Sequence, residues 1–473
     1  MTNNYKHHGG FDDDGVYFQE IPVSLTLPDE NYCQPCLGFY NDDEYNLINS
    51  PFKLITHVVG DTIFIDFDEI KTLNYVLYDN NGVENIKKSV TFSSTNYVSQ
   101  HNFIINEGKL DFNTNLELLW LGGLRPTEEK INEDIQYSSG MISQAGDIEN
   151  IRVSDPKKII ERISYNGTTE WTAIRSKYFI AAILSKTANT FATLSAKNIN
   201  FGNRIQTPAY STSLGYPLDQ NSINAEIYLG PLDVDYIIKT GSTLDSSMNW
   251  GWAIIRPISK GILWVLKFMH NAIHLNYGFV LLLFALLIRI ITGPLTKKSY
   301  ESTQKMQKIQ PKIKKLQEDL KKDPQRLNRE MMGLYKKHGV NPLGGCLPML
   351  LQMPLLMALF VVFRTTIEFR GQPFLLWITD LSKPDVVFSL PFNIPVYGDG
   401  VAILPLLMGA TLFLTMKMSS ATMDKSQKPI MYFMNGFFIL LFNGFPSGLN
   451  LYYTTYNVLS FFQQRGIRSR LSS

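Results

Sequence analysis

Arg289 is the residue in this 473-residue chain whose placement most demands an account. It stands inside the apolar run Gly278-Phe-Val-Leu-Leu-Leu-Phe-Ala-Leu-Leu-Ile-Arg-Ile-Ile-Thr-Gly-Pro-Leu-Thr296. Lys297 follows eight residues later, about 12 Å along a helix, too far for an easy snorkel. A guanidinium at such depth costs roughly 2.5 to 3.5 kcal/mol if it meets lipid, so it is expected to face protein or water. Thr292 and Thr296, three and seven residues further on, share its helical face and extend a polar strip. Near the other end of the chain Asn450, Tyr453, Thr454, Asn457, Ser460 and Gln464 recur at spacings of three and four, with Leu451, Leu459 and Phe462 opposite. Gln352, in Leu351-Gln-Met-Pro354, adds another amide. Any one of these side chains serves as an interhelical hydrogen bond worth about 0.6 kcal/mol. Together with Arg289 they point to a hydrated groove in which a fixed cation attracts an anionic segment.

Chemistry that makes or breaks bonds has no such signal. Cys33-Gln-Pro-Cys36 has a redox-motif spacing, but no strand-then-helix pattern follows it and no second Cys/His pair sits nearby to complete a zinc site. It reads as a structural pair, a local disulfide outside the cytoplasm. There is no P-loop pattern and no compact Asp/Glu, His or Ser constellation. No catalytic residue, metal, cofactor or nucleotide is expected.

The elements that position these residues fall into two unlike halves. The mean hydropathy of -0.05 and the net charge of +2 average a polar first half and an apolar second half. From Val16 to about Leu244 short alternating runs recur between turn signals: Val23-Ser-Leu-Thr-Leu27, Thr62-Ile-Phe-Ile-Asp-Phe67 and Asn102-Phe-Ile-Ile-Asn106. An antiparallel sandwich closes them most simply, and Trp171 to Leu184 fits either a strand pair or a short helix. Residues 249–275 read as an amphipathic interfacial helix, with Trp252, Ile255, Ile262, Leu266 and Met269 on one side. The polar start, Met1 to Asp14, holds no apolar anchor.

Five apolar segments follow, at about Asn276–Thr296, Gly345–Thr366, Val401–Met416, Ile430–Phe445 and Ser447–Phe462. Several are near 16 residues, or about 24 Å against a hydrocarbon layer of about 30 Å, which implies a thinned bilayer. Lys297 to Lys337 carries 13 Lys or Arg against five Asp or Glu, a net +8, so that loop is expected in the cytoplasm. It reads as two helices broken at Asp323-Pro324, facing anionic lipid head groups, ribosomal RNA or an acidic partner. The connection Ile367 to Gly400 is net -2 and is expected outside with the β region; the C-terminus is expected inside. The domains so read are 1–248, a β-sandwich; 249–275, the interfacial helix; 276–464, a five-helix core including the hairpin 299–341; and 465–473, a basic tail.

In order and spacing, Arg289 with Pro294-Leu-Thr-Lys297, Gln310-Pro-Lys-Ile313, Glu330-Met-Met-Gly-Leu-Tyr335, Asn341-Pro-Leu-Gly-Gly-Cys346, Gln352-Met-Pro354, Phe445-Pro-Ser-Gly-Leu449 and Leu451-Tyr-Tyr453 resemble the YidC/Oxa1 insertase family. Tyr228-Leu-Gly-Pro231 and the Trp171 region resemble, more weakly, the large periplasmic domain of its Gram-negative members. The resemblance implies a multi-pass α-helical protein of the bacterial inner membrane, with an extracytoplasmic β-supersandwich. It also implies a groove closed to the outside and open to cytoplasm and lipid, lined by Arg289, Thr292, Gln352, Asn450, Tyr453 and Asn457. Nascent membrane proteins would be the clients, with the lipid bilayer, the Sec translocon and the ribosome as further partners. Their apolar segments would slide along the second and fourth spans. Ala285 stands where many members have threonine, and the family's N-terminal anchor is missing, as though the chain began after it. A small-solute or anion channel using Arg289 is the rival reading. It requires an outward path and paired inverted repeats, which are not visible here.

Overall fold

The computed structural model describes residues 8–11, 16–27, 33–41, 44–47, 52–58, 63–79, 81–106, 115–155, 158–201, 205–217, 219–339, 347–420 and 428–472. Most of Met1 to Asp14, and the segment Asn341 to Cys346, lie outside them. The chain divides into two compact units, Met1–Asn249 and Trp250–Ser473.

The first unit is mainly antiparallel sheet. Nine strands run edge to edge as Asp147–Ile151, Ser139–Gln144, Trp171–Arg175, Phe179–Ser185, Ser222–Pro231, Val98–Ile105, Glu84–Ser93, Ile70–Tyr78 and Lys53–Leu54. Six more run as Ile160–Asn166, Phe191–Phe201, Ile205–Tyr216, Leu116–Trp120, Cys36–Asn41 and Glu44–Leu47. One core joins the two sheets, with Ile86, Phe103, Ile174 and Ile183 from the larger and Leu118, Trp120, Leu194 and Tyr210 from the smaller. Trp171 to Leu184 resolves as a strand pair, with Trp171 opposite Leu184. Of two short helices, α1 (Ile131–Tyr137) lies between strands and α2 (Val234–Ile237) follows the last strand of the unit. Cys33 and Cys36 form a disulfide.

Two expected strands are corrected. Val23 to Leu27 joins no sheet: the Leu27 N–H donates to the Gln34 Oε1 and the Leu25 carbonyl accepts from the Arg125 N–H, so its backbone bonds go to a side chain and a loop. Residues 63–67 join no strand ladder among the described residues either, and Thr62 lies outside them. There Glu69 closes a turn by donating its N–H to the Asp66 carbonyl, and Phe67 is 88% exposed. Alternation makes a segment strand-like, but a ladder needs a partner. A strand the sequence did not suggest, His8–Phe11, pairs with Tyr17–Pro22.

The second unit is helical: α3 (Arg256–Ile273), α4 (Tyr277–Asp319), α5 (Pro324–Lys337), α6 (Leu347–Thr365), α7 (Ile403–Ser420), α8 (Lys428–Phe442) and α9 (Ser447–Ser472). A small antiparallel hairpin, Val386–Ile394 with Gly398–Ala402, precedes α7. Local chemistry sets the ends. The Asn276 Oδ1 caps α4 by accepting from the Gly278 N–H at 2.8 Å, and Asp323 caps α5 through the Arg326 N–H with Pro324 in the first turn. α4 runs 43 residues without a break through Pro294 and Pro311, so the apolar segment and the first half of the basic hairpin are one helix. The part Tyr277–Met306 is long and apolar enough to cross a membrane; Gln352–Thr365, Ile403–Lys417 and Pro429–Phe442 are shorter apolar helices.

α3 turns Ile255, Ser259, Ile262, Leu263 and Leu266 inward and packs on α6 and α4. Trp264 and Phe268, stacked at 5.7 Å, are bare on its other side. Lys267 pairs with Glu368 at 3.2 Å and ties α3 to the turn after α6.

Candidate functional site

α4 and α9 pack along much of their apolar length, and Arg289 lies in that seam with 6% of its surface exposed. Its Nη1 donates to the Tyr456 hydroxyl at 3.2 Å, and the guanidinium carbon sits 5.2 Å from the Tyr456 ring centroid. Among the described residues its Nε and Nη2 have no hydrogen-bond partner. The Thr292 hydroxyl donates to the Ile288 carbonyl at 2.8 Å and lies 3.5 Å from the same Tyr456 hydroxyl. Thr296 repeats the pattern one turn on, bonding the Thr292 carbonyl. Such back-bonding leaves the threonines little donor capacity.

From α6, Gln352 brings its amide toward the hydroxyls of Tyr452 and Tyr453. The Gln352 Nε2 and the hydroxyls of Tyr452 and Tyr453 make no hydrogen bond of normal geometry among the described residues. Tyr452 is fully buried, tilted against Phe284 at 5.8 Å and stacked on Tyr456 at 6.0 Å. The structure thus gathers Arg289, Thr292, Gln352 and Tyr453 with Tyr452 and Tyr456 between three helices.

Asn450 and Asn457 sit apart. Asn450 is 0% exposed and donates to the carbonyls of Phe442 and Phe445, at 3.1 and 3.3 Å, closing the C-terminal end of α8. Asn457 meets α7, where its backbone carbonyl accepts from the Thr415 hydroxyl at 3.5 Å.

Sequence reasoning passed over Tyr452, Tyr456 and Gln463. They recur at four and seven residues on α9, and their signal was a second stripe, hidden because tyrosine reads as apolar. The side-chain nitrogen of Gln463 comes close enough to α4 that a Cβ at Gly293 would meet it. The arrangement holds no nucleophile beside a base. It offers unpaired donors, one of them cationic, in a place shielded by apolar helices, which suits binding an anionic or carbonyl-rich segment.

Residues 268–473 match the model of the family described as 60Kd inner membrane protein, and residues 68–265 match that of the YidC periplasmic domain. A curated relative from Chlorobaculum parvum, "Membrane protein insertase YidC", is 35% identical over 411 residues, 85% of this chain and 68% of that one. The chain belongs to the YidC family. A YidC relative from Chloroherpeton thalassium is 38% identical over 364 residues, 76% of this chain and 62% of that protein. The chain spans 61–65% of the length of this relative and of those from Prosthecochloris aestuarii and Chlorobium phaeovibrioides. A crystal structure described as active YidC insertase with the first transmembrane domain resolved superposes with a TM-score of 0.38 at 18% identity, over 88% of this chain and 83% of that one. The two family models match residues 68–265 and 268–473, so most of the mainly β first unit and most of the helical second unit are covered.

Proposed function

We propose that the chain is a membrane protein insertase and chaperone of the inner membrane, working by solvation and not by bond chemistry. One observation carries the reading: a cation, Arg289, buried between apolar helices with two donors unused and the polar groups of Gln352, Tyr452 and Tyr453 close by. The names of its relatives support it.

In this reading α4, α6, α7, α8 and α9 are the five spans, and residues 299–341 are the cytoplasmic hairpin. Residues 1–248 form a periplasmic supersandwich-like domain, α3 lies in the interface, and 465–473 is the basic tail. Arg289, Thr292, Gln352 and Tyr453 belong to the groove, where Tyr456 holds the arginine in place, while Asn450 and Asn457 tie α9 to α8 and α7 beside it. A polar tail crossing the hydrocarbon layer must shed its water, and a half-depth polar groove shortens that path. Arg289 attracts acidic residues in the tail. Burial of the client's apolar helix, at roughly 25 cal/mol per Å², supplies the drive. The bare apolar faces of α6 (Met353, Met357) and α8 (Ile430, Phe433, Phe437) offer that helix a place to lie. The Sec translocon and the ribosome are the further partners this reading expects.

The test is reconstitution of the full chain alone in liposomes with a single-span client carrying an acidic tail. Client inserted at the rate seen in empty liposomes would overturn the reading. Leakage of small anions instead would establish a channel.

A further inference from the structure

Between α6 and α7 the chain forms the hairpin Val386–Ile394 and Gly398–Ala402, which the insertase reading leaves without a task. We propose that this hairpin is a membrane-seated paddle that lies in the head-group layer of the outer leaflet, its apolar side chains among the upper acyl carbons. The inference rests on the reading that α6, α7 and α8 cross a bilayer.

Its sequence is Val-Val-Phe-Ser-Leu-Pro-Phe-Asn-Ile-Pro-Val-Tyr-Gly-Asp-Gly-Val-Ala, with Asp399 the one charged residue. Val386, Phe388, Leu390, Phe392 and Ile394 fall at every second position, and none is buried. Phe388 is 61% exposed, Phe392 59% and Val396, at the tip, 66%. Leu376, from the preceding loop, is 87% exposed beside Leu375 at 53%. A two-stranded ribbon with this much apolar surface does not stand in water by itself.

The ribbon is also held firmly to the helices. Asp385, at its base, accepts from the N–H groups of Ile403 and Leu404 at 3.1 and 2.8 Å and from the Trp377 indole at 2.9 Å. It therefore caps α7 from 18 residues away. Asn443, just after α8, donates to the carbonyls of Tyr397 and Gly400 and accepts from the Ala402 N–H. The second strand runs directly into α7, so the ribbon's apolar surface continues into the exposed Leu406, Leu407, Phe413 and Leu414 of that helix. That continuity selects lipid as the occupant.

Depth follows from the backbone. A lone hairpin has two unpaired edges, which hydrocarbon does not tolerate and the head-group layer does. Asn393 and Asp399 fit the same level. Aromatic side chains with one polar end, Trp377 and Tyr397, belong there as well.

The test uses the full chain with Cys346 replaced by serine; Cys33 and Cys36 are paired and do not take label. Phe388→Cys, Phe392→Cys and, at mid-helix on α8, Phe437→Cys each carry an environment-sensitive fluorophore in phosphatidylglycerol–phosphatidylcholine vesicles. The phospholipids bear bromine at either the 6,7 or the 11,12 acyl carbons. The proposal expects shallow bromine to quench Phe388→Cys and Phe392→Cys at least twofold more than deep bromine, and Phe437→Cys to be quenched more by deep bromine. No quenching at the hairpin with quenching at Phe437→Cys would overturn the paddle and leave that surface to a protein partner. No quenching at any of the three would overturn the membrane-spanning reading itself, and the paddle with it.

Discussion

Replacing Arg289 by leucine should leave the protein about as stable as before while slowing insertion of acidic-tailed clients. The ledger is short. The substitution removes one charge-assisted hydrogen bond, Nη1 to the Tyr456 hydroxyl at 3.2 Å, worth about 1.5 to 3 kcal/mol, of which the long distance argues for the lower end. It also removes a cation–π contact at 5.2 Å, worth about 0.5 to 2 kcal/mol. Against these stand two buried donors without partners, Nε and Nη2, each costing about 1 to 3 kcal/mol of desolvation. The sums overlap, so the expected change is within about 1 kcal/mol of zero, on either side. Denaturant unfolding of the full chain in detergent micelles, wild type against Arg289→Leu and Tyr456→Phe, reads the stability. Insertion of two clients differing only in tail charge reads the function. Arg289→Lys should keep most of the acidic-client rate, and neutral tails should respond less to either change. A loss of more than about 3 kcal/mol in Arg289→Leu would refute the reasoning, since it would mean that all the donors are engaged and that the arginine is a structural tie.

Four further outcomes are expected. Deleting Leu316 to Leu327 removes the α4–α5 turn but spares Ile309 and Ile313, which pack with Met331, Leu334 and Tyr335; it should slow insertion at an unchanged membrane level of protein, measured by protease-protected client. With Cys346 replaced, cysteine at half-buried Tyr456 should react with an impermeant thiol reagent from the cytoplasm at least tenfold faster than cysteine at fully buried Asn450, and equal rates would remove the polar cluster from the cytoplasmic path. His101 should make the β unit acid-sensitive. Burial first and the Lys88 charge second push its imidazole down to about 3, so it stays neutral in the fold and takes a proton only on unfolding. Its contribution is whole above the unfolded value near 6.5 and is lost as pH falls, about 3 kcal/mol by pH 4. His101→Phe should lessen that acid loss, read by hydrogen exchange in Phe179–Ser185 at pH 7 and pH 4. Finally, Gly215→Ala should cost about 1 to 3 kcal/mol, because its Cβ would strike the Phe191 ring, and Phe191→Leu should restore part of it in urea unfolding.

Much of this fold was legible because period and composition change together near Trp250. Alternation in Asn102 to Asn106 needed no tertiary information, and neither did the helical spacing read over 249–275, although the helix itself starts only at Arg256 and leaves Trp252 80% exposed before it. Val23 to Leu27 and Ile63 to Phe67 failed because strand identity depends on a neighbour the sequence does not name. At the site, Arg289 was conspicuous, since charge inside an apolar run has few innocent explanations. Tyr456 was not, because its role comes from the angle at which α9 meets α4. Asn450 shows the opposite case. Its position on a polar stripe suggested groove lining, yet its amide donates to the carbonyls at the end of α8.

The unbroken course of α4 has a mechanical consequence. From Arg289 to Asp319 the helix extends for 30 residues, about 45 Å. A tilt of about 5° at the arginine would sweep the far tip by about 4 Å, so the helix is a lever with its short arm at the polar cluster. Pro294 and Pro311 supply no N–H to the Ile290 and Gln307 carbonyls, which makes two compliant joints in the rod. Force applied by anything that grips the charged tip reaches the Arg289–Tyr456 contact through both joints, Pro311 first and then Pro294. Stiffening the joint nearer the cluster, as in Pro294→Ala, should strengthen the transmission of such a pull without touching a single residue of the cluster.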